Sequence, residues 1–293
     1  EQLIAESTGK MGKGIVPIEG EALGDPNDYS DDRVFVYVGA NLPEPAAGTD
    51  EKLRALEAAG HPIIRLAMND AYDVSEQFYL WEIATAAAGS ILQIDAFDQP
   101  NVQESKDNTK ALLAEYSSKG SFQQPQPAVT SEAMDIILLS GSKSLQASDP
   151  ASALAGLFGQ VRNHDYVAIC AYIERNQQHT ETLNEMRLKI RDARKSATTV
   201  GFGPRFLHST GQLHKGGPDT GVFVQITADP SFDLPIPGMN VGFRTLIAAQ
   251  ALGDLQSLDK RNRRGVRVHI KGDLESGLRT LQTAIDDALT AKT

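Results

Sequence analysis

The chain has 293 residues, 41% of them hydrophobic and 23% charged, with a formal net charge of −10. This suits a globular protein with one large or two medium domains; the acidic balance, with no basic stripe interleaved by aromatics, excludes a nucleic-acid surface. No apolar run approaches the ~20 residues that span a bilayer, and a single cysteine, Cys170, excludes an internal disulfide and points to a reducing, cytoplasmic compartment.

The chain opens without Met, on what reads as the end of an element, as a fragment of a longer polypeptide would, and with no signal peptide. "DRVFVYVG" (32–39) then has the β-branched and aromatic core of a buried strand. "DEKLRALEAAG" (50–60) has apolar residues at helical spacing and Gly60 as its C-terminal stop. "HPIIRLAM" (61–68) reads as the next strand. "VSEQFYLWEIATAAAGSIL" (74–92) reads as a long apolar helix, buried on several sides. A further helix covers 101–117, which Asp98 or Asn101 would cap and Pro100 would begin. Strand–helix alternation with short loops predicts a parallel sheet covered by helices.

"SSKGSFQQPQPAV" (117–129) interrupts this pattern as a polar, proline-bearing linker. A second α/β run follows: a strand at 166–173, a helix at 182–197, a strand at 221–227, a helix near 242–256, a strand at 265–271 and a closing helix at 274–291. Cys170, inside "DYVAICAYI", reads as a buried core thiol. "DKRNRRGVR" (259–267) is the one basic cluster and reads as a solvated loop before a strand, with a phosphate site as the alternative.

Three stretches carry chemistry. "AESTGK" sets Glu6 beside small hydroxyl and glycine residues; a desolvated carboxylate there is a general base, and an exposed one is an ordinary surface residue. "FDQPNVQESK" places Gln99 at a helix start and Lys106 about two turns on. Helix N-termini attract anions, so a phosphorylated ligand is one reading and a capped surface helix the other. "FLHSTGQLHKGG" holds His208 and His214, whose spacing does not suit a metal, with no cysteine or carboxylate beside them. "GKMGKG" and "HKGG" read as glycine-rich turns rather than phosphate loops.

Taken together, "ESTGKMGKGIVPIEG", "IDAFDQPNVQESK" and "HSTGQLHKG" resemble the sequence signatures of phosphoglucose isomerases. Pro100 and Ser105 depart from that family's second signature, which carries a bulky aromatic and a Gly at the corresponding places. The histidine stretch also follows the lysine stretch instead of preceding it. That order resembles the isomerase part of bifunctional transaldolase/phosphoglucose isomerase fusions, over nearly the whole chain. The resemblance implies a SIS-like, three-layer αβα domain over 1–120 and a second α/β region over 121–293 that carries the histidine motif. It implies interconversion of glucose 6-phosphate and fructose 6-phosphate, with Glu6, Lys106 and His208 as catalytic groups and Gln2, Ser7 and Gln99 as substrate-binding groups. It places His214 in a structural role.

The implied reaction moves one proton between adjacent carbons, which one carboxylate can do, and requires no metal or redox cofactor. The implied partners are a phosphorylated hexose, the transaldolase and first isomerase domain upstream in the same parent chain, and a second subunit of a homo-oligomer that could supply His208; neither nucleic acid nor a membrane is among them. The phosphate-holding Ser/Thr loop of the family is expected upstream; "LLSGSKSLQAS" (138–148) is the nearest stretch here and lies outside the resemblance. The chain alone is therefore expected to fold, to turn over little substrate, and to expose apolar surface that favours self-association. Two alternatives stand beside this reading: a non-catalytic sugar-phosphate-binding module of the same fold, and a transaldolase, for which eight strand–helix units are not found.

Overall fold

The computed structural model describes residues 1–40 and 48–291. In chain order its helices and strands are α1 (Gln2–Thr8), β1 (Phe35–Ala40), α2 (Thr49–Ala58), β2 (Ile63–Met68), α3 (Val74–Leu92), α4 (Pro100–Lys119), β3 (Val129–Thr130), β4 (Met134–Leu138), α5 (Pro150–Gly159), β5 (Tyr166–Tyr172), α6 (Gln177–Arg194), β6 (Ala197–Phe202), α7 (Thr210–Gly216), β7 (Gly221–Ala228), α8 (Phe243–Lys260), β8 (Arg264–Ile270) and α9 (Leu274–Thr290). Local chemistry sets many of the ends. Asp149, Asn176 and Asp273 accept from backbone N–H groups at the starts of α5, α6 and α9. Gly120, in the left-handed region, ends α4.

The protein is a mixed α/β fold built on a six-stranded sheet of order β3-β4-β8-β7-β5-β6. The four strands from β8 to β6 run parallel, and β4 and β3 are added antiparallel at one side. β5, "YVAICAY", is buried at every position, as a central strand covered on both faces must be. Its alternate residues enter different cores. Val167, Ile169 and Ala171 join a cluster that includes Leu154, Leu157 and Phe158 of α5, Leu183, Met186 and Ile190 of α6, and Leu278, Leu281 and Ile285 of α9. Tyr166, Ala168, Cys170 and Tyr172 join Leu112 of α4, Phe206, Leu207 and Leu252, Leu255 and Leu258 of α8. Helices therefore lie on both faces, a three-layer α/β arrangement of the class expected from the sequence, built here from the strands between Val129 and Ile270 rather than within residues 1–120. Cys170 is buried, and that burial pushes its thiol well up.

The segment after α1 wraps round the β6 side of this body. Arg187 donates to the carbonyl of Glu19 at 2.9 Å, and Arg191 donates to the carbonyl of Ala22 at 2.7 Å. Glu21 accepts from Thr198 Oγ1 of β6 and pairs with Arg191. The two arginines holding this strap come from α6, which begins five residues before the predicted helix at 182.

β1 and β2 form a separate two-stranded parallel sheet with Val36 opposite Ile64 and Val38 opposite Leu66. Here the sequence expectation for α3 fails. Only Thr85 and Gly89 of this helix are buried, while Phe78, Tyr79, Leu80, Ile83 and Ile91 are exposed. Its apolar length specified a helix, but among the described residues no neighbour covers it on several sides; its main packing partner is α1. The expected exposed apolar surface falls on these residues and on Val34, Val36, Val38 and Ile64.

Two further expectations are corrected. Neither Asp98 nor Asn101 caps α4: Gln99 occupies the cap position without a side-chain bond, and Pro100 starts the helix. The basic cluster at 259–267 is solvated only in part: Lys260 and Asn262 are exposed. Arg263, Arg264 and Arg267 are all buried, and Arg264 pairs with buried Asp165 at 2.6 Å. Among the described residues no helix is long and apolar enough to cross a membrane.

Candidate active site

The histidine stretch is neither a loop nor, for the most part, surface. A short 3-10 turn, Arg205–His208, buries Phe206 and Leu207 and leaves His208 exposed. Ser209 then leads into α7, seven residues long, in which every residue from Thr210 to Lys215 is buried. Burying a polar side chain is costly unless it finds a partner, and each of three polar side chains here has one.

Gln212 is central. Its Nε2 donates to the carbonyl of Gly9 and to Asn101 Oδ1, both at 2.8 Å, and its Oε1 accepts from the backbone N–H of Asn101 at 3.0 Å. One side chain thus joins "AESTGK", "FDQPN" and "HSTGQL". It also satisfies an N–H in the first turn of α4 that the helix itself leaves free. Lys10, buried in the first stretch, donates to Asp98 of the second at the backbone carbonyl and at Oδ1, the latter 2.9 Å away. Lys13 donates to the carbonyl of Leu92 at the end of α3. "GKMGKG" is a turn, as expected, with Met11 and Gly12 in the left-handed region, but its two lysines pin it in place.

The contacts are close enough to demand glycine. A Cβ on Gly9 would lie 2.3 Å from Leu213 Cα, and one on Gly216 would lie 2.5 Å from Asn101 Oδ1. The backbone N–H of Gly12 donates to the carbonyl of Gly216 at 2.9 Å. α7 and the chain just after α1 therefore meet almost backbone to backbone, and α4 reaches them through the Asn101 side chain.

His214 points into the core. Its Nδ1 shares a hydrogen bond of 2.9 Å with Tyr166 Oη, and its ring packs against Tyr166, Phe206 and Phe223. Burial, helped by the nearby Lys215 and Arg263 cations, pushes its pKa down to about 3, so the ring is neutral at ordinary pH. Lys215 makes a buried ion pair of 2.8 Å with Asp254 of α8. Arg263 donates to the carbonyls of Lys215 and Gly217, closing the C-terminal end of α7.

The predicted site residues fall as follows. Glu6 is buried, 9% exposed, near the end of α1, and Gln2 Nε2 donates to its Oε2 at 2.9 Å. Ser7 is half-buried and Gln2 is exposed. Gln99 is exposed at the cap position of α4, and Lys106 is exposed on the same helix. His208 is exposed. Among the described residues no hydrogen bond or ion pair joins Glu6, Lys106 and His208 to one another; what the fold brings together is the segments that carry them. Of the residues that make this junction, Asp98 and Asn101 read from the sequence only as helix caps, and Gln212 and Lys10 carry no sequence signal of their own. α7 is too short to show a buried face by periodicity, so nothing local marks Gln212 as enclosed. Among the described residues no group of His, Cys, Asp and Glu side chains is arranged to hold a metal ion.

No protein-family model matches the chain. Over 146 residues it is 30% identical to a probable glucose-6-phosphate isomerase of Haloarcula marismortui, a match covering 38% of this chain and 33% of that protein. The chain thus spans about a third of that relative's length, and the match supports a phosphoglucose isomerase-like relationship. Among solved structures, a hypothetical protein of Thermus thermophilus is similar with a TM-score of 0.41 and 12% identity, over 97% of this chain and 73% of that one.

Proposed function

We propose that this chain is the C-terminal, isomerase portion of a transaldolase/phosphoglucose isomerase fusion and interconverts glucose 6-phosphate and fructose 6-phosphate. The observation that carries the reading is the junction at Gln212, which ties the glutamate, lysine and histidine segments into one unit. The relative named as a probable glucose-6-phosphate isomerase supports it independently. In this reading the region 1–120 supplies the base and the lysine, and the region 121–293 supplies the histidine.

The chemistry assigns roles. His208 and Lys106 share ring opening, in which a proton reaches the ring oxygen as one leaves the C1 hydroxyl. Glu6 then takes the C2 proton, giving an enediolate, and returns it to C1. Lys106 offsets the charge on the enediolate oxygens, a term that is large when donors are held in place beforehand. Gln2, Ser7 and Gln99 hold sugar hydroxyls. An exposed His208 is free to exchange protons with substrate; the enclosed, neutral His214 is not, and serves packing.

The test is Glu6→Gln in the full-length protein. Turnover should fall by about 10²–10⁴-fold, the usual share of a general base, while phosphosugar binding persists. Near-normal turnover overturns the assignment. Unaltered binding in a wild-type protein that never exchanges the C2 proton with solvent would instead mark a binding module.

A further inference from the structure

Two stretches remain outside the isomerase reading: the polar "LLSGSKSLQAS" and the basic "DKRNRRGVR". The fold brings them together. Gly141 of the first, and Asn262 and Arg264 of the second, line a pocket of about 300 Å³ with Gln160, Arg162 and Asp219. The pocket lies at the start of β8 and the end of α5. It also takes Asn262 from just after α8 and Asp219 from just after α7, and none of Gln212, Asn101, Gly9, Lys10 and Asp98, which make the junction, lines it.

We propose that this pocket binds a small oxyanion of the phosphate type, either free phosphate or the phosphate of a monoester.

The charges decide the sign of the ligand. Arg264 gives both terminal nitrogens to Asp165, at 2.6 and 3.2 Å, so that pair is neutral. Asp219 is the carboxylate in the lining, and Arg263 answers it at 3.3 Å. Arg162 is left over: its backbone N–H bonds to Asp165, while its guanidinium belongs to no ion pair among the described residues and stands exposed at the rim. The pocket therefore carries one uncompensated positive charge on a group whose planar fork suits phosphate oxygens.

The donors point the same way. Arg264 is 3% exposed, yet its buried Nε–H has no partner. Native folds seldom leave a buried guanidinium N–H unmet, and Arg264 is one of the residues that line the pocket. The walls are also built to stay open and rigid. Ser140 is held by Asp259 through both its backbone N–H and its hydroxyl, at 2.7 Å each. Ser142 Oγ donates to Gln160 Oε1 at 2.7 Å, and Gln160 Nε2 donates to the carbonyl of Gly141. A Cβ on Gly141 would lie 2.4 Å from the carbonyl oxygen of Asn262, and Asn262 itself sits at φ +52°, which asparagine tolerates better than most residues. Backbone in such regions tends to gather at ligand sites.

Isothermal titration of the full chain at low salt tests this, with inorganic phosphate and fructose 6-phosphate as separate probes. Saturable binding of phosphate at millimolar concentration or tighter is expected. Arg162→Ala should weaken it by about tenfold or more, Arg162→Glu should remove it, and Arg162→Lys should keep part of it. Arg162 is exposed and unpaired, so these variants should fold; Arg264 is left intact, and the NMR signal of its Nε–H should shift on adding phosphate. Counting only binding that Arg162→Glu removes, equal affinity for the two probes identifies the free anion as ligand, and tighter binding of the phosphosugar identifies the monoester. Glu6→Gln should leave inorganic phosphate binding unchanged, so failure here and failure of the isomerase reading are separable. Absence of saturable phosphate binding overturns the proposal. So does binding that survives Arg162→Glu.

Discussion

β5 and β2 are both apolar strands in parallel pairs, yet β5 is buried at all seven positions and β2 at none. The difference lies in what covers them. α5, α6 and α9 close one face of the six-stranded body, and α4, α7 and α8 close the other. Among the described residues β1 and β2 are not closed on both faces: Val36 is 39% exposed and Ile64, opposite it, 47%. α3 continues the contrast, with Phe78 66% exposed. An apolar run selects a strand or a helix through backbone sterics and side-chain shape. Whether it leaves water depends on a second element reaching it from elsewhere in the chain.

The comparison can be broken first where the body is most committed. Removing one partner of a buried ion pair strands the other charge, which costs about 3–5 kcal/mol. Asp254→Ala, which strands Lys215 between α7 and α8, should cost that much in urea unfolding; a loss below about 1 kcal/mol would mean that the body is not rigid at this point.

A second prediction concerns acid. The folded His214 has a pKa of about 3, and in the unfolded chain it has the usual value near ~6.5. Between those values the unfolded chain binds a proton that the folded chain does not. Stability from the neutral ring is therefore complete above the unfolded value and declines as pH falls toward the folded one, by at most about 1.4 kcal/mol per pH unit. Burial also lowers His269, which acts in the same direction, so the measurement must be a difference. Between pH 6 and 4.5, His214→Gln should lose about 2 kcal/mol less than the wild type; equal losses would place the ring in water.

The smallest effect belongs to the open face. Val36→Ser in β1 should change stability by less than about 0.5 kcal/mol, whereas Val224→Ser in β7, where the side chain is enclosed, should cost more than about 2 kcal/mol. With Ile64→Ser added, Val36→Ser should also reduce concentration-dependent association in sedimentation velocity. Comparable costs at positions 36 and 224 would show that the β1–β2 sheet is covered in solution.

Much of this was legible in the residues. The strands at 32–39, 61–68, 166–173, 221–227 and 265–271 and the helices at 50–60, 74–92 and 101–117 all correspond to elements of the fold. Periodicity and breakers act over a few neighbours, so the sequence displays them. β4, β6, α5 and α7 were not picked out, and α7 shows why. Its seven residues are mostly polar, and it is held by groups far off in the chain: Gln212 and Asn101 are 111 residues apart.

The sequence by itself determined where most strands and helices lie, the motifs that resemble an isomerase, and the absence of a long apolar span. Only the tertiary structure decided the fate of the polar residues. The arginines of "DKRNRRGVR" look solvated in isolation, yet Arg264 is buried because Asp165, 99 residues away, meets it. The apolar side chains of α3 look enclosed and are not. A residue's type states what its burial would cost; only the arrival of a distant partner decides whether that cost is met.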